Sequence, residues 1–117
     1  MAAAQGHANA QASLGMMFDQ GESVVQNHQE AVKYYRLAAA LMHANAQASL
    51  GMMYGQGQGI PKDDVRAHMW LDLAASRGNS LAEHGRNLLA KKMSPSQITE
   101  AQGMADDCEK NNYQDCN

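Results

Sequence analysis

The 117 residues amount to about one domain, and a formal net charge of −3 without any run of Lys or Arg excludes an electrostatic footprint for nucleic acid or an anionic membrane surface. Hydrophobic residues make up 44% of the chain but aromatics only 5%, so much of the apolar content is alanine, joined by nine methionines and few β-branched residues. That balance argues for closely packed helices rather than a sheet, and the longest apolar runs, such as AAALM at 38–42, fall far short of the ~20 residues that span a bilayer.

MAAAQG at 1–6 reads as the end of a helix from a preceding unit, with Gly6 at the left-handed position after it. The chain is therefore expected to start inside a unit, as a fragment of a longer array, and no signal peptide follows Met1. HANAQASLGMM at 7–17 opens the next helix, where Ala10, Leu14, Met17 and Phe18 share a face. DQGESVVQN at 19–27 is a loop, and a second helix starts near Asn27, with Asn27 and Glu30 spaced as a capping box. Ala31, Tyr34, Tyr35 and Ala38 then share its buried face.

The same eleven letters return at 43–53. GQGQGIPKD at 55–63 takes the place of the loop. It lacks the G-x-x-x-x-G-K-[ST] pattern and a preceding strand, so it is no phosphate loop. Asp63 is the next N-cap, and Ala67, Trp70, Leu71 and Ala74 repeat the face. Gly78 closes that helix, whereas Met42 holds the equivalent place in the middle of the chain. Ser94-Pro95-Ser96-Gln97 starts a last helix, continued by Ile98, Ala101 and Ala105, before polar residues take over as in a terminal cap.

A shift of 36 aligns residues 2–37 with 38–73 without a gap and with 18 identities. Each unit is a helix pair that cannot bury its apolar face alone, so the units stack. The expected fold is all-α: a right-handed α/α solenoid with a period of 36 residues. Residues 7–42 form repeat 1, 43–78 repeat 2, and 79–117 a degenerate repeat and cap. The uncapped N-terminal edge, carrying Leu14 and Met17, is expected to self-associate into a homo-oligomer.

The pattern A-x-A-x-x-x-L-G-x-x-[FY]-x-x-G, then ten residues to A-x-x-[YW] and a closing Ala pair, resembles the Sel-one-like repeat, a relative of the tetratricopeptide repeat. Ala8, Ala10, Leu14, Gly15, Phe18, Gly21, Ala31, Tyr34, Ala38 and Ala39 carry it in repeat 1. Ala44, Ala46, Leu50, Gly51, Tyr54, Gly57, Ala67, Trp70, Ala74 and Ala75 carry it in repeat 2. The resemblance implies a scaffold or adaptor for protein complexes, often at the bacterial envelope. It also implies that the first helices line a concave binding surface. Asn9, Ser13 and Met16, with Asn45, Ser49 and Met52, fall at i, i+4, i+7 on that side. Asn hydrogen-bonds both ways and Met makes soft, adaptable contacts, which suits a peptide or partner helix; the same positions also suit plain packing between helices.

Cysteine-rich relatives carry pairs at the spacing of Cys108 and Cys116 as disulfides and are exported. The resemblance thus implies a bridge and a periplasmic or secreted precursor; two free thiols in a cytoplasmic protein are the alternative. His7, His28, His43, His68 and His84 read as exposed or hydrogen-bonded histidines at helix starts, too dispersed to share a metal. Some relatives are linked to β-lactam binding or hydrolysis, but no S-x-x-K or K-T-G occurs here, and no carboxylate pair sits in an acid/base setting. The reading is a non-catalytic protein-interaction scaffold with no metal, cofactor, nucleic acid or inserted membrane segment. A β-lactam enzyme and a purely structural spacer are the alternatives.

Overall fold

The computed structural model describes residues 2–114 and 116, the side chains of 2–5 excepted. The helices are α1 (Ala2–Gln20), α2 (His28–Ala40), α3 (Ala44–Gln56), α4 (Asp64–Ser76), α5 (Ser80–Ala90) and α6 (Pro95–Lys110). They stack as successive helix pairs over 41 × 31 × 24 Å, the all-α repeat solenoid expected from the period. α2 packs on α1 and α3, and α4 on α3 and α5, so each second helix is wedged between two first helices. α6 departs from that pattern by lying across α4.

Helix starts are set by short polar side chains that accept an otherwise orphaned backbone N–H. Asn27 accepts from the Glu30 N–H (3.1 Å), Asp63 from the Arg66 N–H (3.0 Å) and Asn79 from the Ala82 N–H (2.8 Å). Ser94 and Gln97 close a full capping box, with bonds of 3.2 and 2.9 Å. At Asn27 the box is half built: among the described residues the Glu30 side chain makes no return bond.

The two loops share one closure, Asn27 N–H to the Phe18 carbonyl (2.9 Å) and Asp63 N–H to the Tyr54 carbonyl (3.0 Å). They also share two left-handed residues, Gly21 and Ser23 in the first and Gly57 and Gly59 in the second. Gly59 lies against the backbone of His28, where a Cβ would overlap it, so this loop seats on the first turn of α2. The reversals between units are likewise copies: Met42 (φ 66°) and Gly78 (φ 91°) are left-handed, followed by bonds from His43 and Asn79 N–H to Ala38 and Ala74.

The sequence places the end of a preceding helix at 1–6, but no break separates it from the helix of repeat 1. Residue 1 lies outside the described residues, and α1 runs unbroken from Ala2 through Gly6 and His7. Three successive alanines favour helix, and the segment continues directly into α1. His7 consequently bonds Gln11 at 3.0 Å within the helix instead of capping it.

The core is centred on Trp70, Leu50, Met69 and Leu73, which are fully buried. Phe18 stacks on Tyr34 with centroids 5.7 Å apart, tying α1 to α2. Gly51 lets α3 close on α4, since a Cβ there would meet Leu71 at 2.9 Å and the Ala67 carbonyl at 3.1 Å. Near the end of the chain, Cys108 on α6 is bonded to Cys116, with Cα atoms 5.2 Å apart, and Tyr113 in the intervening turn is buried.

Candidate binding groove

The row of first helices α1, α3 and α5 carries two clefts, one between each adjacent pair. Asn9, Ser13 and Met16 of α1 and Asn45 and Ser49 of α3 converge on the first cleft, of about 240 Å³. Their i, i+4, i+7 spacing puts them on one side of each helix, and stacking sets those equivalent sides next to each other. Five of the six sequence-derived candidates are therefore brought together. Met52 is not among them: it points past α3 into a second cleft, of about 190 Å³, toward α5. Met16 and Met52 are each 50% exposed.

The floor of the first cleft is Tyr35 from α2, whose hydroxyl lies near Asp19 and Ser49. Burial and then the Asp19 charge push its pKa up to about 12, with Ser49 opposing. The phenol stays protonated between α1 and α3. His43 lines the opposite wall and caps α3, its Nδ1 accepting from the Ala46 N–H at 3.1 Å. Burial lowers the pKa of that imidazole, which keeps the ring neutral as its acceptor role demands. Asn45 is partly engaged, its Oδ1 accepting from Asn79 Nδ2 at 2.8 Å, which links α3 to the start of α5. Its own amide N–H groups remain open to a ligand.

Sequence reasoning missed Tyr35 and His43 as groove residues because it assigned one to the core and the other to an exposed or hydrogen-bonded helix start. The 36-residue overlay carried a signal for both: Asn79 stands where His43 stood, and Leu71 where Tyr35 stood. The expectation for the histidines also needs correction. His28 starts α2 and pairs with Asp19 at 3.1 Å, and His7 and His84 are exposed. His68, however, is buried within α4 and its Nδ1 has no partner among the described residues. It occupies the place of Val32 one unit earlier, a core position, so stacking buries it whatever its polarity. Among the described residues no three His, Cys, Asp or Glu side chains cluster as a metal site.

Stacked antiparallel helix pairs with polar and methionine positions recurring along one row of helices define an α/α-solenoid repeat protein. The Sel1 repeat model matches residues 8–42 and 44–79, and the chain belongs to that family. Among solved structures, it is similar to a protective antigen of uropathogenic Escherichia coli displaying an SLR fold, with 32% identity, a TM-score of 0.86 and 96% of this chain covered. It is also similar to a Sel1 repeat protein of Oxalobacter formigenes, with 36% identity, a TM-score of 0.67 and 69% of this chain covered. The chain spans only 25% and 32% of those proteins. No curated protein matches it at a significant level.

Proposed function

We propose that the protein is a non-catalytic interaction module that holds an extended peptide segment of a partner along α1, α3 and α5. The observation that carries this reading is the convergence of Asn9, Ser13, Met16, Asn45 and Ser49 on one cleft with a fixed floor. An extended peptide brings unpaired N–H and C=O groups, and a buried one needs partners. Asn9 and Asn45 supply both a donor and an acceptor, Ser13 adds a hydroxyl, and Met16 and Met52 cover the peptide's side chains. Because the helices are already packed, little ordering of the protein opposes binding.

The test is selection of random dodecapeptides on the wild-type protein, followed by calorimetry on variants. Asn9→Ala and Asn45→Ala are expected to weaken the selected peptides by about five- to tenfold each, the worth of a hydrogen bond. Retained affinity in both would count against the groove and favour the spacer reading. Hydrolysis of nitrocefin above background would instead support an enzyme. The Cys108–Cys116 bond supports an oxidising compartment, periplasmic or extracellular. The exposed side of α1 supports self-association through Leu14.

A further inference from the structure

The second cleft is the first one rewritten. Under the 36-residue shift, Asp19, Tyr35 and Ser49 become Gly55, Leu71 and Gly85. The phenol that fills the first floor is thereby replaced by an open apolar floor. Neither glycine is required by the backbone, since both are helical and neither has a positive φ. Packing does not require them either. A Cβ on Gly55 would meet only Ala67 at 3.7 Å, and one on Gly85 only Leu71, again from 3.7 Å, both ordinary contacts. Glycine in a helix interior destabilises it relative to alanine. Gly85, in the interior of α5, therefore keeps the cleft open at the expense of its own helix, and Gly55 leaves it open at the last turn of α3.

The walls and mouth of the cleft are equally specific. Met52 and Leu88 flank the opening and are each about half exposed. Lys92 stands at the mouth. Among the described residues no carboxylate lines either cleft, although the chain holds twelve acidic residues. The ion pairs among the described residues use Lys62, Arg66, Arg86 and His28, so Lys92 is left without an internal counter-ion. An apolar hole with one unmatched cation at its edge is complementary to an apolar side chain with a neighbouring anion.

We propose that the cleft between α3 and α5 takes one aliphatic side chain of the bound peptide, leucine or methionine in size, and that Lys92 pairs with an Asp or Glu side chain next to it in that peptide. This rests on the groove reading and names the chemistry of the peptide it holds. The first cleft grips backbone, and the second selects sequence.

The test uses fluorescein-labelled, C-terminally amidated Ser-Gly-Ser-Leu-Asp-Ser-Gly-Ser, with Ala for Leu and Lys for Asp as controls. A fourth peptide lacks Asp but ends in Leu with a free carboxylate. Anisotropy is expected to show the Leu-Asp peptide binding about tenfold tighter than its Ala control, from burial of the side chain. It should bind about two- to fivefold tighter than its Lys control at low salt, a preference that shrinks at about 0.5 M salt. Gly85→Met, which plugs the cleft, should abolish the Leu preference, and Lys92→Glu should reverse the charge preference. Because Gly85→Met can disturb α5, the Met52 methyl resonance of the wild-type protein is followed as well; it should shift with the Leu-Asp peptide and not with the Ala control. Equal affinity for Leu and Ala peptides with an unmoved Met52 methyl overturns the proposal. If Asn45→Ala still weakens that binding, the groove reading survives; if no peptide binds, both fall. Tighter binding of the free-carboxylate peptide overturns the assignment of Lys92 to an acidic side chain.

Discussion

Tyr35 does at the residue scale what a longer interface would otherwise have to do. Its ring packs on Gly15, where a Cβ would lie 2.8 Å from the ring, and its hydroxyl lies near Asp19 and Ser49. Tyr35→Phe keeps the packing and removes only the hydroxyl, with Asp19 still paired to His28, so a loss of about 0.5–1.5 kcal/mol is expected in urea unfolding. His43 predicts a pH dependence. Its Nδ1 accepts the Ala46 N–H only when deprotonated, and burial lowers its pKa in the folded state. Folding thus favours the neutral ring. The stability this supplies is complete above the unfolded value of about 6.5 and is lost as pH falls through the lower folded value. His68 acts in the same direction: burial lowers its pKa, Asp72 partly restores it, and Arg86 lowers it again. Unfolding free energy should therefore decline on acidification from neutral pH. His43→Asn, which copies the cap made by Asn79, should reduce that slope, and an unchanged slope would rule out His43 as its source.

Among the elements, the loops and reversals show where one repeat is better made than another. Met42 and Gly78 occupy the same left-handed turn, yet only glycine adopts it without strain. Met42→Gly is expected to raise stability by up to about 1 kcal/mol, seen as a higher urea midpoint. Gly59→Ala is the converse. It combines a left-handed φ with overlap on the His28 backbone, so a loss of at least about 2 kcal/mol is expected. At the other end, the Cys108–Cys116 bond closes a loop across a sequence separation of 8 beneath α6. Loop-closure entropy puts its contribution near 2–3 kcal/mol, so reductant should lower the midpoint, and Cys108→Ser should remove that response.

For the whole molecule, stacking decides what each helix face meets. Leu14 and Leu50 sit in identical eleven-residue strings, yet Leu14 is 38% exposed and Leu50 fully buried. The difference is α2, which packs on α3 from the preceding unit and has no counterpart above α1 among the described residues. The side of α1 that carries Leu14 is thus exposed where the matching side of α3 is covered. Sedimentation at rising concentration is expected to show association that Leu14→Glu abolishes, whereas a strictly monomeric wild-type profile would refute it.

The sequence by itself determined the units: their 36-residue length, the caps at Asn27, Asp63 and Ser94, and the helix sides that carry Asn9, Ser13, Asn45 and Ser49. These follow from local rules of spacing, capping and turn chemistry, which a single strand of letters contains. Local rules did not reveal that the terminal alanines extend α1, that His68 goes inside, or that Met16 and Met52 open into different clefts. Those outcomes belong to the tertiary structure, because burial depends on the neighbour and not on the letter. HANAQASLGMM makes the same helix twice, and only the unit stacked before it turns one copy into core and leaves the other as surface.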